Sequence, residues 1–229
     1  MKPLLIANWK MNPLSLEGAI KISNNLPRDK AEIIICPPFI FIEKLKKILD
    51  IGIGAQNCFW EEAGAFTGEI STLMLKLMGV THVIVGHSER REIFKENNLI
   101  INKKIKSILK EGLTPILCIG ETKIEKESGE TWDVLKKQLK EGLTGVNRDI
   151  IIAYEPIWAI GSGIACSSDV AEEVMVFIKK NTFFDNKILY GGSVNSNNVT
   201  DYPSFSGFLI GGASLNPVEF NKIIEIITQ

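Results

Sequence analysis

The sequence contains few residues of the kinds that bind metals in proteins. Its 229 residues include only two histidines, His82 and His87, which argues against any site that needs two or three imidazole ligands. None of the four cysteines forms a C-x-x-C pair, so we expect neither a zinc site nor a disulfide framework. We therefore expect reduced thiols in a cytoplasmic protein, with no metal and no cofactor. The cysteines are Cys36, Cys58, Cys118 and Cys166.

Charge and hydrophobic patterning argue against further classes of protein. The chain has 26 basic and 27 acidic residues and no basic block, so nothing indicates binding to nucleic acid. No apolar run approaches the length of a membrane span, and the run near the first residue is too short for a signal-peptide core. Neither a P-loop nor a G-x-G-x-x-G motif occurs, so the sequence shows no glycine-rich loop of the kind that binds nucleotide phosphates. With 45% hydrophobic residues, the chain can still form a substantial core.

A unit made of a short apolar run, a loop and an amphipathic stretch repeats along the chain. Near-continuous apolar runs are typical of strands buried on both faces. The repeat continues without a linker, which predicts one parallel-sheet domain over residues 1–229. The number of units predicts a closed (β/α)8 barrel with an outer ring of helices. The predicted strands are Leu4–Asn8, Glu32–Cys36, Ile51–Ala55, His82–Gly86, Thr114–Cys118, Ile151–Glu155, Lys187–Gly191 and Gly207–Gly211.

The stretches between these strands have the apolar spacing of helices. Gly112 is predicted to end one of them, and Ser167–Asp169 resembles the start of another. The connection Val194–Ser206 is short and polar and contains Pro203, so we expect at most one or two helical turns there. The predicted helices are Leu16–Leu26, Ile40–Leu49, Leu73–Met78, Leu99–Leu109, Trp132–Leu143, Val170–Ile178 and Val218–Ile227.

Polar residues concentrate at the carboxyl ends of the predicted strands, the face that carries the active site in such barrels. Lys10 is a fixed positive charge, His87 a possible donor or proton shuttle, and Glu155 a possible general base. The small residues Gly191-Gly192-Ser193 and Gly211-Gly212 can turn backbone N–H groups towards an anion. This set suits proton abstraction next to the carbonyl of a phosphorylated substrate.

Each candidate also has a purely structural interpretation. A glutamate at a strand end is more often an ion-pair partner, but Glu155 directly precedes Pro156, Trp158 and a Gly-Ser-Gly turn, which favours a base beneath a moving lid. His82 keeps the structural interpretation. Cys118 is predicted to be a packed thiol, because no motif supplies it with a base. The Arg90-Arg91 pair could bind phosphate, but ion pairs with Glu61, Glu62 or Glu69 are favoured.

Seven stretches resemble the triosephosphate isomerase family, in the family's order and over almost the whole chain. Together they leave little room for another family. They are Ala7–Asn12 (ANWKMN), Ala55–Ser71 (AQNCFWEEAGAFTGEIS), Gly86–Arg91 (GHSERR), Cys118–Glu121 (CIGE), Ala153–Gly163 (AYEPIWAIGSG), Tyr190–Val194 (YGGSV) and Gly207–Leu215 (GFLIGGASL).

The resemblance implies the cofactor-free interconversion of dihydroxyacetone phosphate and D-glyceraldehyde 3-phosphate, a reaction of glycolysis and gluconeogenesis with a link to the pentose shunt. Glu155 would be the base, His87 would polarise the carbonyl, and Lys10 would bind substrate and stabilise the enediolate. Further residues are implied to bind substrate or to support the site. The substrate-binding residues are Asn8, Gly161, Ser193, Gly211 and Gly212, and the supporting residues are Glu89 and Glu121.

The resemblance also implies a homodimer in which Thr67, at a loop tip, reaches into the partner's site and braces Asn8 and Lys10. The chain departs from the family pattern in three places, one of which is Ser206, where an aspartate is common before the last strand. The segment Ile164-Ala165-Cys166 stands where a basic residue and a small hinge are usual, and the connection before the last strand is short. None of these departures removes a residue with a catalytic role.

Two other functions compete with this interpretation. A pentose-phosphate epimerase on the same barrel resembles a metal-assisted design that needs more histidine and aspartate than this chain has. A barrel that has lost activity and serves as a scaffold is disfavoured by the intact Lys10, His87 and Glu155.

Overall fold

The computed structural model describes residues 2–24, 26–27, 29–160 and 165–229. Eight parallel strands pair in sequence order, and the last pairs with the first to close a barrel. Closure brings Gly207 so near strand one that a Cβ at this residue would lie 1.9 Å from the Leu4 carbonyl oxygen, so only glycine fits there. The strands are β1 (Leu4–Asn8), β2 (Glu32–Cys36), β3 (Gly52–Ala55), β4 (His82–Val85), β5 (Thr114–Ile119), β6 (Ile151–Tyr154), β7 (Lys187–Tyr190) and β8 (Gly207–Ile210).

Helices follow the strands and form the outer ring, which confirms the predicted (β/α)8 fold. In the described part of the chain, no helix is both long and apolar enough to cross a membrane. The α-helices are α1 (Leu16–Ser23), α2 (Phe39–Ile48), α3 (Thr72–Leu77), α4 (Ser88–Glu92), α5 (Asn98–Lys110), α6 (Lys123–Glu127), α7 (Thr131–Gly142), α8 (Ser168–Lys180) and α9 (Pro217–Ile227), and short 3-10 turns cover Ile157–Ala159, Val199–Asp201 and Gly212–Leu215.

The core has two layers, because successive strand residues point to opposite faces of the sheet. Leu4, Ile6 and Ile34 belong to the cluster that fills the barrel interior, whereas Leu5 and Ala7 pack outwards against the helices. This alternation also sets the direction of the side chains that follow each strand. On β6, Ile151 and Ala153 face inwards, and the same two-residue step leads to the residue after the strand, Glu155.

The predicted elements are present, with shifted ends. Several strands stop one residue earlier than predicted, because their last predicted residue begins the loop. The helix predicted over Leu16–Leu26 ends at Ser23, ahead of Pro27, which cannot continue it. The connection before β8 contains only the 3-10 turn Val199–Asp201, as predicted. Gly112 lies just beyond α5 with φ 74°, as a helix stop requires.

Two short helices were not predicted. α4 follows β4 directly and is capped by His87, while α6 begins at Thr122 with a capping box formed with Glu125. Each lies in a loop at the carboxyl end of the barrel. Their apolar content is too low to give a helical period, so capping residues are the only signal in the sequence.

Candidate active site

A cavity of about 250 Å³ opens at the carboxyl ends of the strands. Its walls come from strand ends and loops that lie far apart in sequence. Glu155, His87 and Lys10 therefore lie in the same cavity as the glycine-rich backbone, as expected for this face of a barrel. The lining residues are Asn8, Lys10, His87, Glu155, Ile160, Gly191, Gly192, Ser193, Val194, Leu209, Gly211, Gly212 and Ala213.

Glu155 is fixed at the end of β6 with only 2% of its surface exposed. Its backbone N–H donates to the Ile119 carbonyl at 2.7 Å, which extends the pairing with β5 by one residue. Its Oε2 accepts a hydrogen bond from the Ser88 backbone N–H at 3.1 Å. Its Oε1 lies 3.3 Å from Nε2 of His87. One oxygen is thus held by the backbone, and the other faces the imidazole.

The orientation of His87 follows from its place before α4. Its Nδ1 accepts a hydrogen bond from the backbone N–H of Glu89 at 3.2 Å, so the ring caps the helix. A ring nitrogen that accepts from an N–H carries no proton, so a neutral ring has its hydrogen on Nε2. That hydrogen points to the side of the ring where Glu155 lies, which makes His87 a hydrogen-bond donor into the cavity.

Lys10 is held in a strained backbone conformation, with φ 54° in the left-handed region that non-glycine residues rarely adopt. Its N–H donates to the Asn8 side-chain oxygen at 3.1 Å, and its carbonyl accepts from the Gln56 amide at 2.7 Å. Its Nζ donates to Glu89 at 2.6 Å. These bonds hold the ammonium group at the cavity wall, and strain of this kind is concentrated at functional sites.

The glycine-rich segments form a wall of the cavity next to the charged groups. Gly191 packs so closely on Glu155 that a Cβ would lie 3.0 Å from the Glu155 Cγ. The Ser193 hydroxyl donates to the Ala159 carbonyl at 2.5 Å, so it links the segment after β7 to the turn after β6. Gly212 begins a 3-10 turn directly after β8. The backbone of both segments can therefore approach a ligand without interference from side chains.

Glu121 lies behind Glu155 and is 1% exposed. Burial raises the pKa of its carboxyl above the usual range, although the hydrogen bond from the Trp158 indole opposes this effect. The Trp158 Nε1–H donates to it at 2.7 Å, and the Tyr154 hydroxyl donates at 3.2 Å. The Ile157 N–H donates to its carbonyl oxygen at 3.1 Å. Glu121 thus fixes the chain that leaves the base.

Comparisons with known proteins identify the family. A family model described as triosephosphate isomerase matches residues 3–227. The triosephosphate isomerase of Dictyoglomus thermophilum is 45% identical over 246 aligned positions, which cover 98% of this chain and 99% of the relative. That of Trichodesmium erythraeum is 44% identical over 238 positions and covers 98% of each. The chain belongs to the triosephosphate isomerase family.

The isomerase family and the fold were both predicted correctly from the quoted motifs. The structure brings together most of the residues to which the resemblance assigned a role. Gly161 is the exception, because residues 161–164 lie outside the described part of the chain. The Gly-Ser-Gly turn of the predicted lid and the residue Ile164 fall in the same interval. Ala165 and Cys166 follow it, and Cys166 is buried.

Cys118 is a packed thiol in this isomerase. It faces the barrel interior and is fully buried. Burial raises the pKa of the thiol far above its usual value, and the neighbouring Glu155 raises it further. The thiol is thus kept protonated, which agrees with the prediction that Cys118 is not a nucleophile.

The predicted partners of the Arg90-Arg91 pair were wrong. Arg90 donates to Glu96 at 2.5 Å, and Arg91 donates to the Gly86 and Cys118 carbonyls at 2.7 and 3.1 Å. The turn after α4 brings Glu96 back to Arg90, whereas Glu61, Glu62 and Glu69 lie on another loop. The positions of these residues in the sequence do not predict this turn of the chain.

Sequence reasoning missed two residues that hold the site and one buried charge outside the cavity. Gln56 donates to the carbonyl oxygens of Lys10 and Cys36 and so ties the loop after β1 to β2. Ser88 holds Glu155 through its backbone N–H, which any residue except proline offers. Lys104 is buried on α5 and donates to Asn57 and Glu96 at 2.7 and 2.6 Å. Only Lys104 left a signal, as a charge on the otherwise apolar side of a helix.

Proposed function

We propose that this chain interconverts dihydroxyacetone phosphate and D-glyceraldehyde 3-phosphate through an enediolate, without a cofactor. The carrying observation is that Oε1 of Glu155 lies 3.3 Å from Nε2 of His87 in one cavity with Lys10. A carbonyl oxygen that accepts from His87 would have its neighbouring C–H within reach of Glu155. Base and electrophile can then act on adjacent carbons of one small substrate.

Glu155 is the proposed base. It removes a proton from the hydroxymethyl carbon of dihydroxyacetone phosphate and returns it to the former carbonyl carbon, so one carboxylate serves both transfers at carbon. In the same reaction the hydroxyl proton of the first carbon passes to the oxygen of the second, which turns the first carbon into the aldehyde. Burial removes water from around the carboxylate, and the Ser88 N–H leaves Oε1 as the oxygen that faces His87. Positioned proton transfer of this kind contributes about 10²–10⁴-fold to the rate.

His87 and Lys10 are the proposed stabilisers of the enediolate. The Nε2–H of His87 donates to the substrate oxygen on which negative charge develops, and the Lys10 ammonium lies on the same cavity wall. Asn8 binds substrate and also orients Lys10 through the bond to its N–H. Glu89 contacts both groups, since it pairs with Lys10 and donates its N–H to His87, so it would hold their relative position.

The substrate phosphate is proposed to lie against the backbone of Ser193, Gly211 and Gly212, with Gly161 completing the site. Support comes from the absence of side chains at the two glycines and from the 3-10 turn that begins at Gly212. Lys10 adds positive charge nearby, because its Cε lies 3.5 Å from where a Cβ of Gly211 would be.

The test is a coupled assay that follows D-glyceraldehyde 3-phosphate formation from dihydroxyacetone phosphate, with and without a chelator. We expect equal rates in both, because no metal takes part in the proposed steps. A rate abolished by the chelator would favour metal-assisted chemistry. In D2O we expect deuterium at the carbon that receives the proton, because a proton held on Glu155 can exchange with solvent. Deuterium at that carbon rules out a direct hydride shift, in which the hydrogen never meets an exchangeable group.

We also propose that the chain forms a homodimer through the loop that carries Thr67. Residues 61–69 are all exposed, and this projecting loop includes Phe66, with 43% of its surface accessible. Met11 and Leu14, which follow Lys10, are also largely exposed. Apolar surface beside the site is thus accessible in the single chain, and a partner's Thr67 loop would cover it.

Solution mass tests the dimer. We expect twice the chain mass for the wild type and the mass of one chain for Thr67→Arg, because a charge at the loop tip would have no partner in a buried interface. Val218→Arg introduces the same charge at an exposed residue on α9 and is the matched control. A monomeric wild type, or a Thr67→Arg dimer, would contradict the proposal.

Two further proposals concern organisation and location. Residues 1–229 are proposed to form one domain, because β1 pairs with β8 and the last helix, α9, buries Phe220, Ile223 and Ile224. A cytoplasmic location is proposed because all four thiols are free and buried, as is common in reducing compartments.

A further inference from the structure

The short connection before β8 places a tyrosine beneath the site. Tyr202 follows the 3-10 turn Val199–Asp201 and is 2% exposed. Its ring stacks on that of Tyr190, with centroids 3.8 Å apart and planes inclined by 17°. Phe205 packs edge-on against Tyr190 at 5.6 Å. Tyr202 is not among the residues that line the cavity, so it cannot touch a substrate there.

Tyr190 in turn supports the segment proposed to face the phosphate. It is the last residue of β7, and Gly191 and Gly192 follow it. A Cβ on Gly192 would lie 2.3 Å from the Tyr190 hydroxyl oxygen, so the ring lies directly against the Gly192 backbone. Any movement of the ring therefore changes the space available to Gly192.

Cys166 connects the two hydroxyl groups. Its backbone N–H donates to the Tyr190 hydroxyl at 3.3 Å, and its carbonyl accepts from the Tyr202 hydroxyl at 2.7 Å. All three residues are buried, so water cannot readily replace these bonds. Tyr202 thus constrains Tyr190 twice, by stacking and through the backbone of Cys166.

We infer that Tyr202 is a positioning residue for the substrate phosphate, acting through Tyr190 on Gly191 and Gly192, the residues that lead to Ser193. The inference rests on the proposed placement of the phosphate against this face. Loss of the Tyr202 hydroxyl removes the hydrogen bond to the Cys166 carbonyl. The Cys166 backbone, whose N–H binds the Tyr190 hydroxyl, is then held less firmly. Because the phosphate takes no part in the bonds that change, we expect its contacts to be the same in the ground state and the transition state. Such a loss therefore raises KM and leaves kcat nearly unchanged.

A purely structural role for Tyr202 makes a different prediction. If the residue only fills the core, its replacement lowers stability and the fraction of folded enzyme, and both KM and the affinity for free phosphate stay constant. The two roles are therefore separated by ligand affinity and not by total activity.

The experiment measures KM for dihydroxyacetone phosphate, kcat, and the inhibition constant of inorganic phosphate in the wild type and in Tyr202→Phe. Phenylalanine keeps the stacked ring and removes only the hydroxyl. We expect KM and the inhibition constant to rise together by about two- to tenfold, as for the loss of one hydrogen bond, with kcat changed by less than about twofold. Tyr202→Leu, which also removes the stacking, should show a larger rise in both.

Ser107→Ala is the matched control. It removes a buried hydroxyl that bonds Thr72 at 2.7 Å, away from the cavity, and should leave the inhibition constant unchanged. An unchanged inhibition constant in Tyr202→Phe, with wild-type enzyme inhibited competitively, would overturn the inference alone. A wild-type enzyme that phosphate does not inhibit competitively would overturn the proposed phosphate site and the inference with it.

Discussion

The backbone N–H of Ser88 donates a hydrogen bond to Oε2 of Glu155 at 3.1 Å, although 67 positions separate the two residues in the sequence. Ser88 is the first residue of α4, and Glu155 follows β6. The bond holds the carboxylate beside His87, the residue that caps α4. One short helix therefore orients both the proposed base and the proposed electrophile, and changes at either residue should have separable effects.

Replacing Glu155 by glutamine removes the proton acceptor and keeps the size of the side chain. We expect turnover to fall by about 10²–10⁴-fold, because the variant loses positioned general-base catalysis. The circular dichroism spectrum and the melting temperature should stay close to those of the wild type. Glu173→Gln, on the exposed side of α8, is the control for loss of a carboxylate. Turnover near the wild-type value would rule out Glu155 as the base.

His87→Asn separates the two tasks of the histidine. Asparagine is a favourable N-cap and can still accept from the Glu89 N–H, but it is too short to present a donor where Nε2 lies. We expect kcat to fall by about 10²–10³-fold, the usual cost of one donor to a developing oxyanion. The melting temperature should change little, whereas His87→Ala should lower it as well. A loss of stability without a loss of kcat would leave His87 only a capping role.

Gly192→Ala introduces a Cβ where the Tyr190 hydroxyl oxygen lies only 2.3 Å away. Because both residues are fixed at the end of β7, the loop must move, and we expect a raised KM for dihydroxyacetone phosphate. Gly142→Ala is the control, since its Cβ would meet Leu117 at an ordinary 3.7 Å inside α7. Steady-state kinetics of the two variants make the comparison. Equal KM values would show that the backbone of this loop does not contact the substrate.

Lys104→Met tests the buried ion pairs behind the site. Lys104 is 2% exposed and pairs with Glu96, which also pairs with Arg90. Removing one partner of a buried pair leaves a poorly compensated charge and typically costs about 3–5 kcal/mol of unfolding free energy. Urea denaturation measures the loss. Lys106→Met, on the exposed side of the same helix, should be nearly neutral, and a similarly small effect at Lys104 would contradict the prediction.

Glu121 makes the stability of the protein depend on pH. Burial raises the pKa of its carboxyl above the ordinary value of 4.5, so the folded state holds this proton more tightly than the unfolded chain does. Its contribution to stability therefore falls as pH rises from 4.5 through the raised pKa. Glu121→Gln lacks this fall, so its unfolding free energy should improve relative to the wild type over that interval. Urea titrations at several pH values measure the difference, and a constant difference would contradict the assignment.

The sequence alone was sufficient for the barrel and the family. Short apolar runs alternate with amphipathic stretches, and this period is a local property that any parallel barrel must have. The motifs around Lys10, His87 and Glu155 could likewise be assigned to one site from the sequence. The carboxyl ends of the strands lie at one face of the barrel, whatever the exact packing. The inward direction of Glu155 follows from the two-residue step along β6.

Only the tertiary structure decided which partners these residues have. The bond from Ser88 to Glu155, the pairing of Arg90 with Glu96 and the stacking of Tyr202 on Tyr190 join segments whose separation in sequence carries no information about contact. Such contacts depend on the closure of the barrel and on how each loop turns back over it. Periodicity determines which face a residue occupies, whereas the neighbour that it meets there is set by packing across the whole chain.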